Sequence, residues 1–311
     1  MPSREQPRGL LGIENLTRDQ IQALLDRARD FQPAPGQSFP RFDLLRGRMV
    51  VNLFYEASTR TRTSFEIAER RLGAEAVSIT AQASSVSKGE SLVDTLNTLA
   101  AMRPDAIVMR HSASGAPHFL QRYLDTPIVN AGDGTHEHPT QALLDARTIL
   151  DRGAKLEGLR VAIIGDIAHS RVARSNVYLL SKFGADIVLC GPASLLPQEL
   201  AQLAPGVTLT TDMTEAIRDA DVIMMLRVQL ERQHEAAFPA SEYFQFYGLR
   251  LEHLRLARPE VIVMHPGPIN RGREISSEVA DSQRSAILNQ VENGVSIRMA
   301  VLEQVLGEGK K

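Results

Sequence analysis

The sequence predicts an α/β protein of two domains, each a parallel sheet flanked by helices, with the active site in the interdomain cleft. Three observations carry this prediction. Short apolar runs alternate with helical patterns along the chain, which is the mark of βαβ units. The scheme stops at Arg152-Gly153 and then begins again. In both halves, cations and hydroxyls follow the strand ends, the edge where open parallel sheets bind ligands.

Length and composition agree with that class. At 311 residues the chain exceeds the usual single domain, and dividing its length by roughly 150 gives about two. Hydrophobic residues at 43% and charged residues at 23% are globular values, which excludes disordered, collagenous and disulfide-scaffold classes. No apolar run approaches the ~18 residues of a membrane span, and the N-terminus has only LLGI where a signal peptide needs a longer apolar region. The expected location is cytoplasmic. A net charge of −2, from 35 basic and 37 acidic residues, gives no global attraction to nucleic acid or to an anionic membrane. The single cysteine, Cys190, lies in the strand-like run ADIVLC and reads as a buried, inert thiol.

Taken in order, the N-terminal extension 1–9 matches no pattern. Thr17-Arg18-Asp19-Gln20 has capping-box spacing and opens a helix ending near Asp30, before the loop QPAPGQSFP. First-half strands are expected at 49–54, 76–79, 106–110 and 127–130, with helices near 61–72, 91–101 and 117–124. Residues 139–151 read as a helix with proline in its first turn. The second half offers strands at 160–164, 186–189, 222–226 and 261–265, and helices near 171–183 and 214–219. A long final helix, roughly 284–306, is expected to complete the first domain. The domains are therefore expected at 1–150 and 151–283.

The chemistry lies after the strands. Ser58, Thr59, Arg60 and Thr61 sit where a strand turns into a helix, so free N–H groups, the helix dipole, hydroxyls and a guanidinium would together cradle a phosphate. Arg62 has two readings, ligand contact or an i,i+4 pair with Glu66. Arg110 and His111 end the third run. His138 precedes a helix whose Gln141 is one turn on, a donor pair suited to a carbonyl or amide. His136 and His138 suggest zinc only weakly, since no further Cys, Asp or Glu stands at a recognisable spacing, and no metal is expected.

In the second half, VAIIGD opens like a dinucleotide fold, but IAHSRVARS lacks the glycines that admit pyrophosphate, so NAD is not expected. Arg171 stands at a helix start, where positive charge is disfavoured, and has two readings, contact with a carboxylate or a solvated helix end. Arg227 and Gln229, alternate residues after a strand, can both address one ligand, the other reading being a solvated strand end. Lys88, in the loop QASSVSKGES, reads on loop physics alone as a solvated lysine.

The segments STRTRTSFE, KGES, Arg110-His111, HPTQALLD, RVQ and HPGPINRG together resemble the aspartate carbamoyltransferases, over nearly the whole chain. STRTR and HPTQ belong to carbamoyltransferases generally, whereas RVQ and HPGP point to the aspartate branch. The ornithine branch typically has a cysteine in an HCLP segment, and here His265 is followed directly by proline. The resemblance implies carbamoyl transfer from carbamoyl phosphate to the α-amino group of L-aspartate, in pyrimidine synthesis, without a cofactor. By position, Ser58, Thr59, Arg60 and Thr61 would hold the phosphate, and Arg110, His138 and Gln141 the carbamoyl end. Arg171, Arg227 and Gln229 would hold aspartate, and the Gly267 and Pro268 backbone the carbamoyl amide. Arg60, Thr61, Arg110 and a neutral His138 are the expected catalytic groups. The resemblance also implies a homotrimer in which Ser84 and Lys88 enter a neighbouring subunit's site, Lys88 to meet aspartate. It leaves open a trimer alone or one joined to dihydroorotase or regulatory chains. Two other functions stay open: another amine acceptor such as ornithine, and a non-catalytic assembly subunit.

Overall fold

The structure, a computed structural model, describes residues 9–34, 36–80, 92–227 and 240–307. The chain folds as two compact units, Met1–Leu143 with Asn293–Lys311, and Leu144–Glu292.

The first unit opens with helix α1, Arg18–Asp30. Thr17 Oγ accepts from the Gln20 N–H at 3.1 Å while Gln20 Oε1 accepts from the Thr17 N–H at 2.8 Å, so the capping box forms. There follow β1 (Met49–Phe54), α2 (Thr59–Arg71), β2 (Glu75–Thr80), α3 (Leu92–Ala101), β3 (Ala106–His111), α4 (Ala116–Gln121), β4 (Ile128–Asp133) and α5 (Pro139–Asp151), whose residues from Leu144 on belong to the second unit. The four strands order as β2-β1-β3-β4, all pairs parallel. Strands β1, β3 and β4 are buried almost throughout, as their continuous apolar runs require, whereas the edge strand β2 is largely exposed. β4 runs past the expected 130 to Asp133, because His111 of β3 pairs with Asp133 across a register shift.

The second unit contains β5 (Arg160–Ile164), α6 (Arg171–Ser181), β6 (Asp186–Cys190), β7 (Val207–Thr210), α7 (Met213–Ile217), β8 (Val222–Met225), α8 (Ala240–Tyr247), β9 (Ile262–Met264) and α9 (Ser277–Ala280). Its sheet orders as β7-β6-β5-β8-β9, again all parallel. Three elements were not expected from sequence. β7 is a four-residue edge strand with only Val207 buried, too short to show a period, and α8 and α9 are one or two turns long. Cys190 is fully buried, and burial pushes its thiol up to about 12, so it is inert at neutral pH.

The final helix, α10, spans Ile287–Leu306. Its part within the first unit is tied to α1 by a two-pronged pair from Arg27 to Glu303, 2.6 and 2.7 Å, and places Arg298 over the Phe65 ring.

Candidate active site

In each sheet, chain order reverses at one place, between β1 and β3 and between β5 and β8. Open α/β sheets bind ligands outside the carboxyl ends of the strands at such points. Of the described site residues expected from sequence, Ser58, Thr59, Arg60, Thr61 and Arg110 fall at the first place and Arg171 and Arg227 at the second, whereas His138 and Gln141 follow β4, and Gly267 and Pro268 follow β9.

In the first unit, Arg110 stands beside Phe54 in the β1–β3 register, and the Tyr55 N–H donates to the Arg110 carbonyl at 2.9 Å. The strand end that leads into Ser58 and the strand end that bears Arg110 are thus neighbours. Ser58 is the N-cap of α2, but its side chain makes no capping hydrogen bond, and no acid stands in the first turn. Thr59 and Arg60 are exposed and Thr61 is buried. This terminus combines backbone N–H groups, hydroxyls, positive dipole and guanidinium at one place, the composition of an anion seat. Arg62 takes its other reading, with Nε at 3.6 Å from Glu66 Oε1.

Arg110 is buried, and its guanidinium donates to the Ala131 carbonyl at 3.2 Å and to Glu56 Oε1 at 3.0 Å. Sequence reasoning passed over Glu56. Its signal was its place, a lone acid between an apolar strand and a turn of cations and hydroxyls.

The loop after β4 is held by a second acid that sequence reasoning passed over, Asp133. Its Oδ1 accepts from Asn130 Nδ2 at 2.8 Å and the Glu137 N–H at 3.1 Å. Its Oδ2 accepts from the Gly115 N–H at 2.6 Å and lies 3.0 Å from His136 Nδ1. Burial raises the Asp133 pKa, but these hydrogen bonds outweigh it and hold the carboxyl below its usual range. The hydrogen bond to Asp133 in turn raises His136. Glu137 anchors the same loop to the N-terminal segment, accepting from the Ile13 N–H at 2.8 Å. The loop delivers His138 and Gln141, both buried, to the start of α5, where the Gln141 N–H donates to the His138 carbonyl at 2.9 Å.

Among the described residues, two groups have the donor set for a metal ion: His118, Asp133 and His136, and Glu14, His136 and Glu137. His138 belongs to neither, so the weak zinc pair of His136 with His138 gives way to these. In the first group both Asp133 oxygens already accept hydrogen bonds, and a cation would have to compete with them. The cluster is a hydrogen-bonded support for the loop.

In the second unit, Gly165 follows β5 with φ +142°, and a Cβ there would lie 2.8 Å from Leu226 Cβ. Glycine lets the ends of β5 and β8 close up, with Leu226 N–H on the Ile164 carbonyl at 2.8 Å, and Arg227 comes next. Asp166 Oδ1 accepts from the His169 N–H at 3.2 Å and lies 2.8 Å from His169 Nδ1, fixing the turn into α6. Ser170 Oγ caps that helix by accepting from the Ala173 N–H at 3.1 Å, and Arg171 is buried in its first turn. After β9, Gly267 has φ +66° and donates its N–H to His265 Nδ1 at 2.8 Å. Ser84, Lys88 and Gln229 lie outside the described residues.

Comparison with known proteins identifies one family, in two parts. Residues 8–151 match the family described as "Aspartate/ornithine carbamoyltransferase, carbamoyl-P binding domain", and residues 157–305 match its "Asp/Orn binding domain". The chain is 81% identical over 301 residues to the aspartate carbamoyltransferase catalytic subunit of Solibacter usitatus (strain Ellin6076), covering 97% of this chain and all of that one. Among solved structures, aspartate transcarbamoylase from Trypanosoma cruzi in complex with N-(phosphonacetyl)-L-aspartic acid is 34% identical, with a TM-score of 0.88, covering 97% of this chain and 96% of that one. Ornithine carbamoyltransferase from Pyrococcus furiosus, 30% identical, has a TM-score of 0.87 and covers 98% of each chain. The fold is thus common to both acceptor branches, and side chains must set the acceptor.

Proposed function

The chain belongs to the aspartate/ornithine carbamoyltransferase family, among the aspartate carbamoyltransferase catalytic subunits, and from that premise we propose how its two half-sites work. The enzyme transfers the carbamoyl group of carbamoyl phosphate to the α-amino group of L-aspartate, giving N-carbamoyl-L-aspartate and phosphate. The observation that carries this reading is the start of α2, a helix terminus without a side-chain cap beside the buried Arg110.

Carbamoyl phosphate is an activated acyl donor with a good leaving group, so the protein's task is positioning and charge compensation. Ser58, Thr59, Arg60 and Thr61 hold the phosphate. Arg110, His138 and Gln141 address the carbamoyl end, and the Gly267 and Pro268 backbone accepts from its amide. Arg171, Arg227 and Gln229 hold the carboxylates of aspartate. Thr61, Arg110 and His138 stabilise the oxyanion of the tetrahedral intermediate, each well-placed donor contributing roughly 3–4 kcal/mol. With Arg110 already paired to Glu56 at 3.0 Å, substrate has to draw the guanidinium toward the carbonyl oxygen. The substrate amine passes its proton to the departing phosphate, which makes a protein base unnecessary.

The active unit is a homotrimer in which Ser84 and Lys88 complete a neighbouring subunit's site, and it works in the cytoplasm, in pyrimidine synthesis. Support for the trimer is family membership, and native mass spectrometry measures it directly. The activity test offers the purified chain carbamoyl phosphate with aspartate, ornithine or putrescine, and follows phosphate release and the carbamoylated product by mass. Turnover with aspartate alone is expected. Preference for ornithine would reassign the acceptor, and no turnover with any amine would favour the assembly-subunit reading. Arg227→Ala is expected to weaken aspartate binding by roughly 2–5 kcal/mol while calorimetry shows carbamoyl phosphate binding nearly intact. Equal loss of both would overturn the division of substrates between the halves.

A further inference from the structure

The segment after β9 is held by a connected set of five buried side chains in the second unit. The backbone N–H of His265 donates to Gln290 Oε1 at 2.9 Å, and its Nδ1 accepts from the Gly267 N–H at 2.8 Å. A backbone amide can only donate, so Nδ1 is the acceptor and the ring proton sits on Nε2. There it faces Glu274 Oε1 at 3.2 Å, and the same oxygen accepts from the Asn270 N–H at 2.7 Å. One imidazole and one carboxylate therefore pin the loop at Gly267 and again at Asn270.

The connection continues through Gln290. Its Nε2 donates to Asp145 Oδ1 at 2.7 Å, and Asp145 Oδ2 accepts from Asn176 Nδ2 at 2.8 Å. That amide also donates to the Val172 carbonyl at 3.0 Å, in the turn of α6 next to Arg171. His265, Glu274, Asp145 and Asn176 are at most 1% exposed and Gln290 is 3% exposed. A connected buried network of this kind favours one arrangement, because breaking a member adds further unpaired polar atoms to Glu274 Oε2 and Asn176 Oδ1, which already make no hydrogen bond.

Resting on the function proposed above, we infer that His265 is a positioning residue for the carbamoyl amide. It fixes the Gly267 and Pro268 backbone, and Gln290, Asp145 and Asn176 join that loop to the helix that carries Arg171. The network touches no substrate. Its effect is on where the backbone acceptors stand, and displacements of about 1 Å at such sites cost up to 10²-fold in rate.

The test compares carbamoyl phosphate with inorganic phosphate, which lacks the amide. His265→Phe keeps the ring's bulk but neither accepts nor donates, whereas His265→Asn retains an acceptor for the Gly267 N–H. Turnover of the wild-type chain with aspartate is measured first, and its absence would count against the proposed function alone. In a folded His265→Phe variant, kcat is expected to fall about 10- to 100-fold and carbamoyl phosphate binding to weaken about tenfold, while inorganic phosphate binds as in the wild type. His265→Asn is expected to recover most of the loss. A lower melting temperature with an unchanged ratio of the two dissociation constants would overturn the inference, as would an Asn variant as impaired as the Phe variant. Should the Phe variant not fold, imidazole nitrogen NMR on the wild-type chain decides. The Nε2–H tautomer of His265, with a shift in its resonances on adding carbamoyl phosphate but not phosphate, is expected. The Nδ1–H tautomer, or no such difference, would overturn it.

Discussion

Helices α1 and α2 have the same length, 13 residues, and lie in the same unit, yet they begin in opposite ways. α1 closes its N-terminus with a reciprocal capping box, places Asp19 in the first turn and buries Ile21, Leu24, Leu25 and Ala28. α2 starts from Ser58 without a side-chain cap, has no acid in its first turn, and buries Thr61 and Glu69 along with Phe65 and Ala68. A missing cap costs about 1 kcal/mol and a missing first-turn acid some tenths more. α1 uses its local interactions for stability. In the function proposed above, α2 leaves its positive end to a ligand, and the missing cap is the cost in stability.

The largest effect separating the two is expected from Arg60→Ala. Loss of a donor to the departing phosphate should lower kcat by about 10²–10³, with stability, read from a denaturant midpoint, within about 0.5 kcal/mol of wild type, since Arg60 is exposed. Near wild-type turnover would remove α2 from the site.

Glu69 sharpens the contrast along the buried face. Burial lifts its pKa from 4.5 to about 8, opposed by the hydrogen bond from Asn52 Nδ2 at 2.9 Å. Between those values the folded chain holds a proton that the unfolded chain has released, so stability falls as pH rises from 4.5 toward 8. The slope from this group is at most about 1.4 kcal/mol per pH unit. Glu69→Gln should remove that slope and raise the urea midpoint at pH near 8. If the variant keeps the wild-type slope, Glu69 is not its source.

A smaller effect is expected from Ser58→Asp, which gives α2 the kind of cap that α1 has. Helix stability should rise by roughly 0.5–1 kcal/mol. Phosphate binding should weaken about tenfold or more, since the new carboxylate occupies and repels the same seat. A more stable chain that binds phosphate as before would show that the terminus is not the seat. The mildest change is Thr17→Ala, which should cost about 1 kcal/mol of stability and leave kcat unaltered. A loss of turnover there would mean that α1's cap is coupled to catalysis.

Much of this was legible in the chain order of residues. The runs 49–54 and 160–164 and the helix 139–151 appear as β1, β5 and α5 with those bounds, because parallel strands and buried helices are written in continuous apolar periods bounded by turn residues. The capping box at Thr17 and the helix start at Ser58, where the seat is proposed, were legible for the same reason, since both depend on neighbours within one helical turn. β7 was not, because a four-residue edge strand takes its identity from pairing with β6. Glu56, Asp133, Glu274 and Gln290 were not singled out either. Each acts through a partner placed by the fold.

The alternation of strand and helix, the residues at each strand's carboxyl end and the resemblance carried by STRTR, HPTQ and HPGP were all written along the chain. Those are properties of residues close along the chain. Strand order had to come from tertiary structure: β1 beside β3 puts Arg110 next to the turn into Ser58, and β5 beside β8 puts Leu226, the residue before Arg227, against Gly165. So did the hydrogen bond from Gln290 to Asp145, groups 145 residues apart. Local periodicity encodes which face of an element is apolar. It holds no record of which distant polar group will meet it there, because that depends on how the whole core packs.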